Sequence, residues 1–147
     1  MKTVIATTQK HFFDAMQIRG RVFVDEQHVP SSIEIDDEDK TCLHVLLYQE
    51  DKALAVCRLL DHGTYYKVGR MAVLKENRHK GYGKALMLSL ETLDVMNDKQ
   101  ELRLDAQMSA AGFYETLGYH FEGEPFIEAD MLHVHAIKKL HTNLDNQ

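Results

Sequence analysis

The segment from Tyr65 to Asn97 constrains the fold most, because a strand, a basic glycine loop and a helix follow one another directly. Apolar residues dominate Tyr65 to Leu74, which predicts a strand, and Gly81 and Gly83 interrupt the polar segment that follows. From Lys84 onward the apolar residues recur at helical spacing, so a long helix is predicted toward the end of this segment. The chain is therefore expected to place a glycine loop where a strand turns into a helix.

Such a loop is suited to binding an anion. The first turn of a helix has backbone N–H groups without intrahelical partners, and the helix dipole is positive there. Gly81 and Gly83 have no Cβ, so a phosphate can approach the backbone closely. Arg78, Lys80 and Lys84 surround the loop with positive charge, which is unfavourable for the helix unless an anion binds there.

The loop matches neither of the two commonest phosphate-binding motifs. No Ser or Thr follows Lys84, which excludes a Walker A loop. Leu86 stands where the dinucleotide fingerprint requires its third glycine, so that motif fails as well. The pattern that remains is Arg78-x-x-Gly81-x-Gly83.

Composition limits the class of protein. A chain of 147 residues is long enough for one domain with a sizeable core, so residues 1–147 are predicted to form a single domain. The net charge of −6 argues against nucleic acid as a partner. Basic residues nevertheless concentrate between Lys67 and Lys84, which indicates a specific anionic ligand.

The sequence also predicts the compartment. No apolar run is long enough to span a bilayer, and the first residues lack a signal-peptide pattern. Cys42 and Cys57 give no disulfide framework. A cytoplasmic protein without a membrane partner is the simplest expectation.

The N-terminal part is predicted to contain one strand and one helix. Val4 to Ala6 is a short candidate strand, and Thr7 or Thr8 is expected to cap a helix from about Lys10 to Phe23. The predicted apolar face of that helix comprises Phe12, Met16 and Phe23, with Phe13 and Ile18 beside it. The acidic residues 31–41 are expected to form a loop.

The rest of the chain reads mainly as strands. Short connections predict an antiparallel meander of three strands, and the crossover through the long helix predicts a parallel pair. The predicted strands are His44–Gln49, Ala53–Leu60, Tyr65–Leu74, Leu102–Ala106, Tyr119–Phe126 and Met131–Lys138. A short helix is expected at Ala110–Leu117, ended by Gly118, and the tail 141–147 is expected to fray. This order indicates an α+β fold with a mixed central sheet of about seven strands flanked by helices.

Three motifs carry a resemblance to a known family. Arg78 to Gly83, RHKGYG, resembles the Q/R-x-x-G-x-G/A signature of GNAT N-acetyltransferases. Gln107 to Tyr119, QMSAAGFYETLGY, looks like the closing segment of that family. Arg21 to Gln27, with Glu34-x-Asp36 after it, resembles the small bacterial subgroup labelled ElaA-like or YjcF-like. The resemblance covers roughly Ile18 to Lys138 and implies the GNAT acyl-CoA N-acyltransferase fold.

The resemblance implies acetyl-CoA as the acyl donor and assigns residues to it. In this family the pantetheine arm pairs with the fourth strand, and the pyrophosphate is bound by the glycine loop. The implied pantetheine contacts are the backbone groups of Met71, Ala72 and Val73. The implied pyrophosphate contacts are the amides of His79, Lys80, Gly81, Tyr82, Gly83 and Lys84, with Arg78 and Lys80 at the rim. Gln107 stands where many members have a cofactor-contacting Asn.

The resemblance also implies the reaction. A primary amine of a small molecule or peptide would attack the thioester directly, and Tyr114 would protonate the leaving thiolate. A packing role for Tyr114 stays open. The fourth strand starts with Tyr66, Lys67 and Val68, so the carboxylate base of some members is missing. The substrate-side candidates for a base are Glu26, Glu34, Asp36 and His133, with water as another.

Three further expectations concern function, metal binding and assembly. A GNAT-fold protein that binds acyl-CoA without turnover is the alternative to an enzyme. His133 and His135 face the same side of a strand, but no further ligands are spaced around them, so no metal is expected. The family resemblance also implies a homodimer as one assembly.

Overall fold

The computed structural model describes residues 1–140. The expectation of a frayed tail concerns residues 141–147, outside this range. The strands are β1 Lys2–Ile5, β2 Leu43–Gln49, β3 Lys52–Asp61, β4 Tyr65–Val73, β5 Glu101–Gln107, β6 His120–Glu128 and β7 Met131–Lys139. The α-helices are α1 Gln9–Arg19, α2 Ser31–Glu34, α3 Tyr82–Leu90 and α4 Ala111–Thr116. Within residues 1–140, no helix is long and apolar enough to cross a membrane.

The seven strands form one mixed sheet in the order β1-β2-β3-β4-β5-β7-β6. β4 and β5 run parallel, with Tyr65 opposite Glu101 and Lys67 opposite Arg103. β7 runs antiparallel to both β5 and β6. The predicted α+β class, the meander and the parallel pair are confirmed.

The chain divides into two compact units. The first contains Met1–Leu60 and Gly69–Leu90, and the second contains Asp61–Val68 and, among the described residues, 91–140. In the first unit the core lies between α1 and the sheet. In the second unit alternate residues of β5 are buried, which leaves its other face more accessible.

Helix α1 begins as the sequence predicts. The Thr8 hydroxyl accepts a hydrogen bond from the His11 backbone N–H at 3.1 Å, and the His11 ring nitrogen accepts one from the Thr8 N–H. This reciprocal capping satisfies two N–H groups that a helix start leaves open. The α-helix ends at Arg19, and the chain continues as a π-helix over Gly20–Glu26. The predicted end at Phe23 therefore lies inside the π-helical continuation.

The predicted apolar face of the N-terminal helix is wrong at Phe12 and Phe13, which are exposed, and right at Ile18 and Phe23, which belong to the core or pack against it. Phe12 is 45% exposed, whereas Ala15, Ile18 and Val22 are buried in the core with Leu46. These three residues follow the i, i+3, i+7 spacing of one helix face. The small Ala15 side chain lets the helix approach the sheet closely, which a face of large aromatic side chains would prevent.

The prediction of an acidic loop over residues 31–41 is also wrong. The segment forms α2 and a 3-10 turn at Asp37–Lys40. Asp36 caps this turn, because its side chain accepts a hydrogen bond from the Glu38 N–H while the Asp39 side chain accepts one from the Asp36 N–H. Short acidic side chains therefore build ordered turns here.

Helix α3 is shorter than the apolar periodicity predicts. It ends at Leu90, and Leu93 has extended backbone angles of −73° and 140°. A 3-10 turn at Asp94–Met96 follows and buries Met96. The apolar residues beyond α3 therefore follow helical spacing without forming a helix. The turn buries Met96, whereas Leu93 and Val95 are only half-buried.

Two chain reversals in the second unit agree with the sequence. Gly118 has a φ of 95° and ends the helical segment, as predicted. Ala129 and Asp130 have φ values of 50° and 62° and connect β6 to β7. Two consecutive left-handed residues are typical of a tight hairpin turn, so the predicted loop at this position is confirmed.

Candidate active site

The glycine loop presents consecutive unpaired backbone donors at the start of α3. Gly81 has a φ of 81° and its carbonyl accepts the first helical bond, from the Ala85 N–H at 3.0 Å. His79 is left-handed as well, with a φ of 63°. Among residues 1–140, no hydrogen-bond acceptor is found for the amides of residues 79–84. A row of such amides at a helix N-terminus is suited to an anion with several oxygens.

The loop lies against the end of β4. A Cβ on Gly83 would lie 3.2 Å from Met71 Cε and 3.8 Å from Val73 Cγ2. The Arg78 guanidinium donates from Nε to the Val73 carbonyl at 2.9 Å. The first unit therefore holds the predicted pantetheine strand and the predicted pyrophosphate loop side by side. This arrangement fits an extended phosphate-bearing ligand better than a plain turn.

The structure joins two predicted site residues in one ion pair. Arg78 Nη1 and Nη2 each lie 2.9 Å from a carboxylate oxygen of Glu26. Both side chains are about one-third exposed. Lys80 and Lys84 are exposed, and neither has an ion pair within the described part of the chain. The uncompensated positive charge of the loop therefore comes from these two lysines.

The acidic segment has in-chain partners that the sequence did not reveal. Arg19 is fully buried and contacts the Glu34 carboxylate at 2.6 Å and the Asp39 carboxylate at 2.6 Å. Two further arginines complete the cluster, called here the buried ion network. It comprises Arg19, Arg58 and Arg70 with Glu34, Asp36 and Asp39.

The network is balanced in charge and couples α1, the acidic segment and two strands. Arg58 contacts Asp36 at 2.7 Å, and Arg70 on β4 contacts Glu34 at 2.9 Å. Burial alone would raise the pKa of Asp39, but hydrogen bonds from Arg19, the Asp36 backbone and Arg58 hold it far below its usual range. Three guanidinium groups thus face three carboxylates, and Glu34 and Asp36 are already engaged.

His44 adds a neutral member to this cluster. Burial and the charge of Arg19 lower the pKa of its imidazole. Its Nε2 lies 2.8 Å from Arg19 Nη1, so the neutral ring accepts a hydrogen bond there. Ligand atoms of Asp39, Cys42 and His44 lie within 4.8 Å of one another, but two guanidinium groups already donate to Asp39. A metal cation does not fit beside those groups.

The second unit holds the remaining predicted residues. Gln107 and His133 are partners across β5 and β7. His133 is buried, and its Nδ1 lies 2.9 Å from the Met131 carbonyl, to which it donates, so Nε2 is the ring nitrogen that this bond leaves open. Tyr114 on α4 is half-buried and packs edge-on against Phe113 at a ring distance of 5.1 Å.

Sequence reasoning missed the arginines because their roles depend on long-range contacts. One local signal existed for Arg19, since it lies next to Ile18 on the side of α1 that Ala15 and Val22 occupy. A buried arginine on a helix face requires carboxylates nearby. The acidic run from Glu34 to Asp39 contains the carboxylates that pair with Arg19.

Comparisons with known proteins agree with this geometry. Residues 6–140 match the family model described as acetyltransferase (GNAT) domain. The uncharacterised N-acetyltransferase YjcF of Bacillus subtilis (strain 168) is 34% identical over 139 residues, covering 94% of this chain and 99% of YjcF. The crystal structure of Escherichia coli ElaA superposes with a TM-score of 0.79 at 26% identity, covering 94% of this chain and 99% of ElaA. An acyl-CoA N-acyltransferase from Pseudomonas aeruginosa superposes with a TM-score of 0.80 at 25% identity, with the same coverage.

The chain therefore belongs to the GNAT acetyltransferase family and has the acyl-CoA N-acyltransferase fold. The resemblance to the ElaA-like and YjcF-like subgroup is confirmed. Membership makes the protein an acetyltransferase that uses an acyl-CoA donor and an acceptor.

Proposed function

We propose that this enzyme transfers an acetyl group from acetyl-CoA to a primary amine of a small molecule or peptide. The observation that carries the proposal is the glycine loop, whose consecutive amides lack acceptors within residues 1–140 and which lies against the end of β4. Coenzyme A supplies a pyrophosphate for such amides, and its thioester supplies the activated acetyl group. Exposed Lys80 and Lys84 add the positive charge that a pyrophosphate requires.

The proposed donor contacts follow the order of the chain. Backbone groups of Met71, Ala72 and Val73 bind the pantetheine arm, and the amides of residues 79–84 bind the pyrophosphate. Arg78 is a rim residue whose guanidinium is held by Glu26 and by the Val73 carbonyl. Gln107 is the proposed contact from β5. One N–H of β4 is the proposed donor to the thioester oxygen, where it would stabilise developing negative charge.

Tyr114 is the proposed acid. Its phenol would donate a proton to the sulfur as the C–S bond breaks. Glu34 and Asp36 are not proposed as the base, because arginines already engage their carboxylates. His133 retains Nε2 for a hydrogen bond to a substrate.

The test compares the wild-type chain with Tyr114→Phe. Turnover is followed as thiol release from acetyl-CoA, and acetyl-CoA affinity is measured by calorimetry. We expect turnover to fall about 100-fold or more with unchanged affinity. Thr116→Val, on the same helix, is the control. Full activity of Tyr114→Phe removes the phenol from the mechanism, whereas acetyl-CoA binding without turnover in the wild type supports a binding protein instead.

The remaining proposals concern the compartment, the domain organisation and the oligomeric state of the protein. Cys42 and Cys57 are both free, which suits a reducing cytoplasm. The two compact units are proposed to act as one catalytic domain.

The tip of the β6–β7 hairpin exposes Ile127 by 68% and Leu132 by 45%, which gives a homodimer an apolar contact surface. Analytical ultracentrifugation of Ile127→Lys against the wild type tests the dimer, because a monomeric wild type contradicts it.

A further inference from the structure

A second site lies entirely in the second unit. It is a pocket of about 360 Å³ on the accessible face of strands β4 to β7. Its polar lining residues include Tyr65, Lys67, Arg103, Asp105, Glu122 and His135. Ligand pockets begin at roughly 300 Å³, so this space suits a small metabolite.

An aspartate and a histidine form a dyad in the pocket. His135 Nδ1 lies 2.7 Å from Asp105 Oδ1, and the two residues are partners across β5 and β7. Lys67 Nζ contacts the other carboxylate oxygen at 3.0 Å. Burial alone would raise the pKa of Asp105, but the bonds from His135 and Lys67 hold it below its usual range. The ionised carboxylate therefore accepts the Nδ1–H.

Because Nδ1 is held by the Asp105 carboxylate, Nε2 is the nitrogen of His135 that can take up a proton. Within residues 1–140, no hydrogen-bond partner of Nε2 is found. The Phe126 ring stacks on the imidazole with centroids 4.6 Å apart and planes 29° from parallel. Asp105 and Phe126 together fix the tautomer and the plane of the ring. Such a ring in a pocket has the features of a general base.

The charges around the dyad favour an ammonium group. Glu122 on β6 is the cross-strand partner of His135, is exposed, and has no ion pair among the described residues. Arg103 is already engaged, because it contacts Glu101 at 3.0 Å and lies 4.2 Å from the Tyr65 ring centroid. His62 stacks on the same ring at 4.9 Å. The carboxylate available to a ligand is therefore that of Glu122.

The dyad also lies close to a residue assigned to the donor. Gln107 follows Asp105 by two positions on β5, so both side chains point to the same face, roughly 7 Å apart along the strand. Alternating burial along β5 supports this shared face. Gln107 is the proposed coenzyme A contact of this unit.

We propose that this pocket holds the acceptor, a small primary amine, and that His135 is its general base with Asp105 as the positioning residue. The inference rests on the proposed acetyl transfer. The ammonium binds beside Glu122 and gives one proton to His135 Nε2. Its nitrogen then forms the bond to the acetyl carbon while the C–S bond breaks. Tyr114 donates its phenol proton to the sulfur and takes up the second proton from the nitrogen. The proton on His135 passes to solvent.

The experiment uses the full chain, acetyl-CoA and four probe amines: glucosamine, L-lysine, spermidine and tyramine. Thiol release is measured from pH 6 to pH 9 for the wild type, His135→Gln and Asp105→Asn. For His135→Gln we expect kcat/KM to fall about 100-fold at pH 7 and to recover as pH rises, because the amine then loses its proton unaided. His120→Gln, an exposed histidine on β6 outside the pocket, is the control and is expected to keep wild-type activity.

A second measurement does not depend on variants. The imidazole NMR signals of wild-type His135 are followed during titration with each amine, and we expect a shift with the amine that is acetylated. In Asp105→Asn the shift of the His135 signals on amine addition is expected to weaken, since the carboxylate no longer holds Nδ1. The proposal is overturned if His135→Gln matches the wild type at every pH, or if none of the four amines both shifts His135 and releases thiol. Failure of the wild type to bind acetyl-CoA instead refutes the proposed function itself.

Discussion

Replacing Arg19 with Met tests whether the buried ion network supports the fold. The Arg19 side chain is fully buried and donates to Glu34, to Asp39 and to His44 Nε2. Methionine fills a similar volume but has no donor. After the substitution Glu34 retains Arg70 and Asp39 retains Arg58, so both carboxylates lose one of their arginine partners.

The expected loss follows from burial. Glu34 and Asp39 side chains are only 3% and 9% exposed, so water replaces little of the lost bonding. Breaking a buried ion pair by removing one partner costs about 3–5 kcal/mol. For a chain of this size that corresponds to a fall in Tm of about 10 °C.

The assay is urea and thermal unfolding of Arg19→Met beside Arg21→Met. Arg21 is two residues further along and pairs with Glu76, but both side chains are about half exposed. An exposed pair contributes at most about 1 kcal/mol, so the control is expected to unfold close to the wild type. Equal stability of the two variants would refute the assignment of a structural role to the network.

Three other predictions concern separate parts of the molecule. Gly118→Ala is expected to lower the free energy of unfolding in urea by about 1–2 kcal/mol, because residue 118 has a left-handed backbone. Gly112→Ala in α4 has open space at its Cβ and should raise that free energy by about 0.5 kcal/mol. Effects of the same sign would contradict this prediction. The free energy of unfolding is expected to fall as pH drops below 6.5, since the His44 pKa is lowered in the folded state and returns to about its ordinary value on unfolding. His44→Gln should remove part of that dependence, and an unchanged pH profile would speak against it. Double substitution of Lys80 and Lys84 by Gln should weaken acetyl-CoA binding about tenfold at low salt and less at high salt, measured by calorimetry; equal loss at both salt concentrations would argue against a charge effect.

Local signals were sufficient for much of the fold. The Thr8 cap, the glycine loop and the turn at Ala129 and Asp130 each depend on neighbouring residues, and the structure confirms all three. The meander and the parallel pair were predictable because the segment lengths and connections allow few arrangements. The family signature at Arg78 to Gly83 then added what periodicity alone does not provide, the identity of the donor.

Ion pairs and hydrogen bonds between residues far apart in the chain could not be predicted from the sequence. The acidic segment looked like a solvated loop because its partners Arg19, Arg58 and Arg70 are distant in the chain. The burial of Arg19 on α1 is unpredictable for the same reason, since it depends on those carboxylates. Likewise, the pairing of His135 with Asp105 depends on the register of β5 and β7, which the spacing between His133 and His135 does not reveal.

Binding of acetyl-CoA to the glycine loop is the central claim, and thermal unfolding tests it most directly. Acetyl-CoA at about 100 times its dissociation constant should stabilise the wild type by roughly 2.7 kcal/mol, a rise in Tm on the order of 5–10 °C. Gly83→Val should lose this rise, because its added carbon atoms meet Met71 and Val73 at the end of β4. A wild type whose Tm does not change with millimolar acetyl-CoA would contradict the account.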